Sequence, residues 1–153
     1  MSDSSASFIL FQVAGTTYGL PAGCVQQMEM LEGVTPVPNA APFVDGVVFS
    51  RGQVVPAVNM RVRFGFERAA YDPKTRLVVV STSGRSVGLI VDAAREFVSI
   101  AAEAIQPPPP AMAALSGKYL ASIAALGERL VMILDVNELL NFDDNTLPAP
   151  AEA

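Results

Sequence analysis

Asp92 and Asp135 each close an apolar run, at the ends of "VGLIVD" and "RLVMILD". Brought face to face, two such carboxylates could share a Mg²⁺ ion or divide the work of acid and base. Little else in the chain offers chemistry. Its 153 residues include no histidine and one cysteine, Cys24. Ser-His and Cys-His nucleophilic pairs, His-containing metal sites and thiolate clusters are thereby excluded. No Walker-type loop and no strand-glycine-helix dinucleotide fingerprint occurs, and "GRSVG" and "SRG" are too short for phosphate loops. Cys24 sits in the apolar run "AGCVQQM" and reads as a small core residue. Glu29, Glu32, Glu96 and Glu103 read as solvated faces. The simpler role for the two aspartates is to turn the chain out of a sheet and bind nearby backbone amides. No catalytic residue, metal site or cofactor is predicted, and a binding module leads by elimination.

One charged residue stands out by its setting. "FVDGVVF" and "QVVPAVNM" are both of core quality, and Ser50, Arg51 and Gly52 lie between them. The triplet is a turn, and Arg51 is either solvated there or presented to a partner.

The elements that must hold these residues read as β-structure. Three stretches share one design: 46–59 around Arg51-Gly52, 77–92 around Ser83-Gly84-Arg85, and 119–135 around Gly127-Glu128-Arg129. In each, two strand-length runs rich in branched residues flank a glycine with a charged neighbour, as hairpins prefer. "FILFQV" (8–13) is a further strand. "CVQQMEML" (24–31) is apolar at Val25, Met28 and Leu31, a spacing that serves a helix or a strand. "VTPVPNAAP" (34–42) is too rich in proline for a central strand or a helix. "MRVRFG" (60–65) and "VNELLN" (136–141) suit single helical turns, with Asp135 as an N-cap. "QPPPPA" (106–111) is an extended, stiff connector.

Half of the chain is apolar, 51%, which with this length allows one domain with a substantial core. A net charge of −5 lacks the electrostatic footprint of a nucleic-acid binder. No secretory signal is visible and no apolar run is long enough to span a bilayer, so a cytoplasmic protein without direct membrane insertion is expected. Residues 1–7 and 143–153 are expected to be disordered ends, the second acidic and rich in Pro and Ala.

In order, "FILFQVAGTTYGLPAGCVQQM", the prolines of "VPNAAPFVDGV", Arg51-Gly52 with "VVPAVNMRVRFG", "VGLIVD" and "YLASIAALGERLVMILDVNELL" resemble CheW-like chemotaxis coupling proteins over residues 8–142. The resemblance implies an all-β fold of two five-stranded SH3-like barrels sharing a hydrophobic core, with short helical turns, divided roughly into 15–80 and 81–142. It implies a non-catalytic adaptor without cofactors. Such adaptors couple the cytoplasmic hairpin tip of a chemoreceptor to the regulatory domain of a CheA-type histidine kinase, in arrays that include rings of CheW-like domains. Carried over residue by residue, Arg51, Gly52, Val25, Gly46 and Gly88 fall on receptor-binding positions. Val25, Gln27, Met28, Phe49, Gln106 and Ala111 fall on kinase-binding positions, and the connector after Ile105 lies where neighbouring units meet in rings. Gln27 stands where glutamate is frequent. Phe49 and Ser50 replace the asparagine and leucine usual before the arginine-glycine pair, and the connector after Ile105 is unusually rich in proline. These departures point to an alternative, a non-flagellar chemosensory pathway controlling pilus motility or a second messenger. Each site also has a plainer role: Val25 and Met28 as core, Gly46 and Gly88 as backbone necessities, Phe49 as barrel filling. Two rival functions are weighed. A proline-rich peptide would need clustered aromatics, and the chain has no Trp and three Tyr, widely spaced. An enzyme would need the aspartates to meet over a metal.

Overall fold

The computed structural model describes residues 5–82, 84–111 and 119–140. Apolar runs separated by tight turns become eleven strands. They are β1 (Ser5–Val13), β2 (Thr16–Pro21), β3 (Val25–Met30), β4 (Val44–Ser50), β5 (Gln53–Asn59) and β6 (Arg76–Thr82). After them come β7 (Arg85–Val91), β8 (Ala93–Ala101), β9 (Ile105–Gln106), β10 (Leu120–Leu126) and β11 (Arg129–Leu134). Two single helical turns, α1 (Met60–Arg63) and α2 (Val136–Leu139), follow β5 and β11. The three hairpins appear as expected, as β4–β5, β6–β7 and β10–β11. Within 24–31, Val25–Met30 resolve to a strand: burial alternates along β3, and its backbone pairs with β6.

The strands form two sheets, one of six in the order β8-β1-β2-β11-β10-β9 and one of five in the order β3-β6-β7-β5-β4. The two expected five-stranded units are therefore unequal, because Ile105 and Gln106 pair with β10 and add a short strand. The strands also do not sort at residue 80. The first sheet is built from both ends of the described chain and the second from its middle, and β6 and β7 pair across that boundary. The N-terminal expectation is corrected at residues 5–7, while residues 1–4 lie outside the described residues. Ser5, Ala6 and Ser7 pair with Ala101, Ile100 and Ser99, so β8 gives their backbone partners and draws them into the sheet. The expected tail at 143–153 lies outside the described residues. In the proline connector, Pro107–Pro109 has no regular structure, but Pro110 and Ala111 are helical. Proline suits such a start, since its fixed φ is already helical and its missing N–H is not needed there.

Three apolar clusters hold the sheets. One lies within the first sheet (Phe8, Leu10, Ile100, Ala124, Val131, Ile133). One lies within the second (Val48, Val55, Ala57, Leu77, Val79, Ile90). The largest lies between the sheets and takes Phe11, Val13 and Leu20 from one, Val78, Val80 and Leu89 from the other. This explains the unbroken run "LVVV" at 77–80. Leu77 and Val79 face into their own sheet's cluster, Val78 and Val80 face the shared one, and a strand buried on both faces has no polar side to show.

Polar residues at the strand ends join the halves. The Asn59 side chain accepts from the N–H groups of Arg61 and Val62, and Asp135 accepts from that of Glu138, so each caps its helical turn. Asp92 accepts from the Ala14 N–H at 2.8 Å and from Arg61 Nη2 at 2.7 Å and Nε at 2.9 Å. It thereby ties the β1–β2 turn to α1. Arg63 lies over the rings of Phe43 (4.6 Å) and Tyr119 (5.0 Å) and donates to the Leu139 carbonyl at 3.1 Å, linking α1 to α2.

Candidate functional site: the seam of the second sheet

The second sheet leaves β3 and β4 as its two outer strands. Side chains, not a backbone ladder, stitch them together. Gln27 Nε2 donates to Ser50 Oγ and to Glu29 Oε2, and Ser50 Oγ donates to Glu29 Oε2 at 2.6 Å. Ser50 is only 2% exposed. The serine that departs from the family pattern is therefore the buried centre of the stitch. A leucine there could make none of these bonds.

Beside the stitch, β4 turns into β5 through Arg51 and Gly52, with Ser50 opposite Gln53. Arg51 has φ +49° and Gly52 φ +83°. Two successive positive φ values define the type I′ turn whose twist matches that of a hairpin, and glycine suits its second position. Arg51 is exposed and held on a short, paired hairpin. No ion pair ties it to Asp45 or Asp92. Asp45 is engaged by Arg68, Tyr71 and Asn59, and Asp92 by Arg61.

The outer face of this seam is apolar. Met28 is 40% exposed, Met30 60% and Phe49 74%. Phe49 does not fill the barrel, because alternation along β4 turns Val48 and Ser50 inward and Phe49 out. A groove of about 340 Å³ runs between the strands. Leu31, Val48 and Leu77 form its floor, Met30 and Phe49 its walls, and Glu29 and Glu32 complete its lining.

The structure thus gathers Gln27, Met28, Phe49, Arg51 and Gly52 at one seam. The other expected residues lie elsewhere. Val25 is half-buried and packs against the core between the sheets. Gly46 and Gly88 are buried and offer no surface. A Cβ on Gly46 would lie 2.1 Å from the Thr35 carbonyl oxygen, and one on Gly88 would lie 2.7 Å from Leu77 Cδ1. Gly46 is required by the backbone, whereas Gly88 leaves room for the Leu77 side chain. Gln106 is exposed on β9 of the first sheet, and Ala111 is exposed beyond the proline connector. Glu29, Met30 and Glu32 were missed, as was the inward role of Ser50. The signal was present in "QQMEM": read as a strand, it puts Gln27 and Glu29 on one face and Met28 and Met30 on the other. Asp92 and Asp135 bind backbone amides, as the simpler reading expects. Among the described residues no group of three or more His, Cys, Asp or Glu side chains is placed to hold a metal.

The CheW-like domain family matches residues 7–144. The chain belongs to that family. The CheW-like chemotaxis protein CheW of Klebsiella aerogenes is 33% identical over 140 residues, covering 92% of this chain and 84% of the relative. Chemotaxis protein CheW of Bacillus subtilis is 26% identical, covering 95% and 93%. Protein FrzA of Myxococcus xanthus is 28% identical, covering 87% and 84%. In three dimensions the chain is similar to the crystal structure of the scaffolding protein TtCheW from Thermoanaerobacter tengcongensis. The TM-score is 0.84 at 26% identity, over 94% of this chain and 99% of that one. The mostly-β, two-sheet architecture is that of a CheW-like domain. Among the described residues no helix is long and apolar enough to cross a membrane.

Proposed function

We propose that this CheW-like chain is a non-catalytic scaffold that couples chemoreceptors to a CheA-type histidine kinase in the cytoplasm, at membrane-bound receptor arrays. The match of nearly the whole chain to the CheW-like domain carries the proposal. The seam supplies the contacts. Arg51, fixed by its type I′ turn, meets acceptors on the receptor's hairpin tip with a planar fork of donors. Met28 and Phe49, with Gln27 beneath them, form the apolar face for the kinase's regulatory domain, since interface cores favour Met and aromatic residues. Gln106 and Ala111 belong to a separate contact, between neighbouring units of a ring. Gly52 acts by permitting the turn.

The test is receptor-dependent kinase activation with purified receptor, kinase and this chain. Activation should depend on the chain, and Phe49→Asp should abolish kinase binding while leaving the melt unchanged. Activation equal with and without the chain overturns the proposal. A non-flagellar chemosensory pathway is the second reading. Phe49 favours it, because it exposes a large apolar ring where the family usually places asparagine. Kinases from the two kinds of pathway, tested side by side, separate the alternatives.

A further inference from the structure

The groove between β3 and β4 has a backbone edge as well as apolar walls. Ser50 faces Gln53 across the turn, and Val48 faces Val55. Hydrogen bonding alternates along an antiparallel pair, so these residues bond to β5. The N–H and C=O groups of Val47 and Phe49 therefore point away from β5. Those of Val47 are taken: Thr35 donates to the Val47 carbonyl and accepts from the Val47 N–H, each at 2.9 Å. Those of Phe49 have no backbone partner among the described residues, and Phe49 lines the groove. The charged residues lining it, Glu29 and Glu32, are both acidic, and Glu32 is exposed.

We propose that this groove receives an extended, basic segment of a partner protein by strand addition at Phe49. The segment sets one apolar side chain between Met30 and Phe49 and a lysine or arginine, two residues away, against Glu32. An extended chain puts residues i and i+2 on one face, so apolar and basic side chains enter together. Backbone bonds to an open edge supply affinity, and alternate side chains supply selectivity. The carboxylates reject an acidic segment and attract a basic one. The proposal rests on the scaffold reading only for the source of the segment, a partner protein.

The test titrates the isotope-labelled full chain with two end-blocked peptides, Lys-Thr-Leu-Thr-Lys and Glu-Thr-Leu-Thr-Glu, followed by NMR. The basic peptide should shift the Phe49 and Met30 amides and the Met30 methyl saturably at millimolar concentration. The acidic peptide should bind at least about tenfold more weakly. Glu32→Lys should reverse the preference, Phe49→Ala should weaken both peptides, and Glu103→Lys should change neither. Equal binding of the two peptides, shifts that map away from the groove, or no saturable shift overturns the proposal. So does concentration-dependent broadening at the seam without peptide, which would mean that a second copy of the chain fills it. Receptor-dependent kinase activation is run beside the titration. If activation is intact and the peptide arm fails, the groove proposal falls alone. If the peptides behave as expected and activation is absent, the scaffold reading falls alone.

Discussion

Gly46→Ala should destabilise the fold severely, although the residue it adds is one methyl group. Gly46 has φ +151°, a region that residues with a side chain rarely adopt. The space a Cβ would take is filled by the segment at Thr35 and Pro36: such an atom would lie 2.1 Å from Thr35 O, 2.6 Å from Thr35 C and 3.0 Å from Pro36 Cα. These are backbone atoms and cannot swing aside. The segment at Thr35 must move, and its two hydrogen bonds with Val47 break with it. Forcing the unfavourable φ costs about 1–3 kcal/mol. Two lost backbone bonds add about 1 kcal/mol each. The sum is about 3–5 kcal/mol, which for a chain of this size lowers the melting temperature by about 6–20 °C. Urea unfolding followed by circular dichroism measures it, with the midpoint falling and the slope unchanged. Gly88→Ala is the comparison, because its added Cβ meets the movable end of Leu77 at 2.7 Å. That overpacking should cost about 1–3 kcal/mol. A loss below about 1 kcal/mol for Gly46→Ala would refute the reasoning. It would reopen Gly46 as a contact residue, since any loss of coupling would then have to come from the interface.

Further outcomes follow from the joints and the seam. Arg51→Ala should leave the melting temperature nearly unchanged, since the side chain is exposed at a turn and has no ion pair among the described residues. It should weaken receptor coupling by about 1–3 kcal/mol, with Arg51→Lys recovering only part, measured by receptor-dependent kinase activation. Ser50→Ala should cost about 1–3 kcal/mol in urea unfolding, because it leaves Gln27 and Glu29 partly unpartnered in the seam. Burial alone would raise the Asp92 carboxyl, but hydrogen bonds from Arg61 and the Ala14 N–H, with the Arg61 charge, hold it below the ordinary 3.8. A depressed carboxyl contributes stability that is full above its unfolded pKa and is lost as pH falls through the folded one. Asp92→Asn should therefore flatten the acid limb of the stability curve below about pH 4 and lower the plateau above it, read from urea midpoints across pH. An unchanged acid limb would show that Arg61 and Asp92 do not act together in solution.

Much of this protein was legible locally. Three hairpins, the Arg51-Gly52 turn and the two helical turns, the second with its Asp135 cap, each rest on a few neighbouring residues, whose backbone needs are strong enough to read directly. The family resemblance was legible for the same reason, as a series of such local pieces in order. Strand partners were not. Runs such as 77–80 are buried on both faces and lack the alternation that assigns a face. Pairing β1 with β8 also brings together residues about ninety apart, which no local pattern encodes. The glycines looked alike on paper, and only the approach of Thr35 made Gly46 a backbone necessity. Phe49 and Ser50 were visible as departures, but their roles depended on which one faced the barrel. The pleat turned Ser50 inward to Gln27 and Glu29 and left Phe49 in solvent. The seam was a product of tertiary structure throughout, because β3 and β4 are its two sides and thirteen residues, 31–43, separate them in the chain.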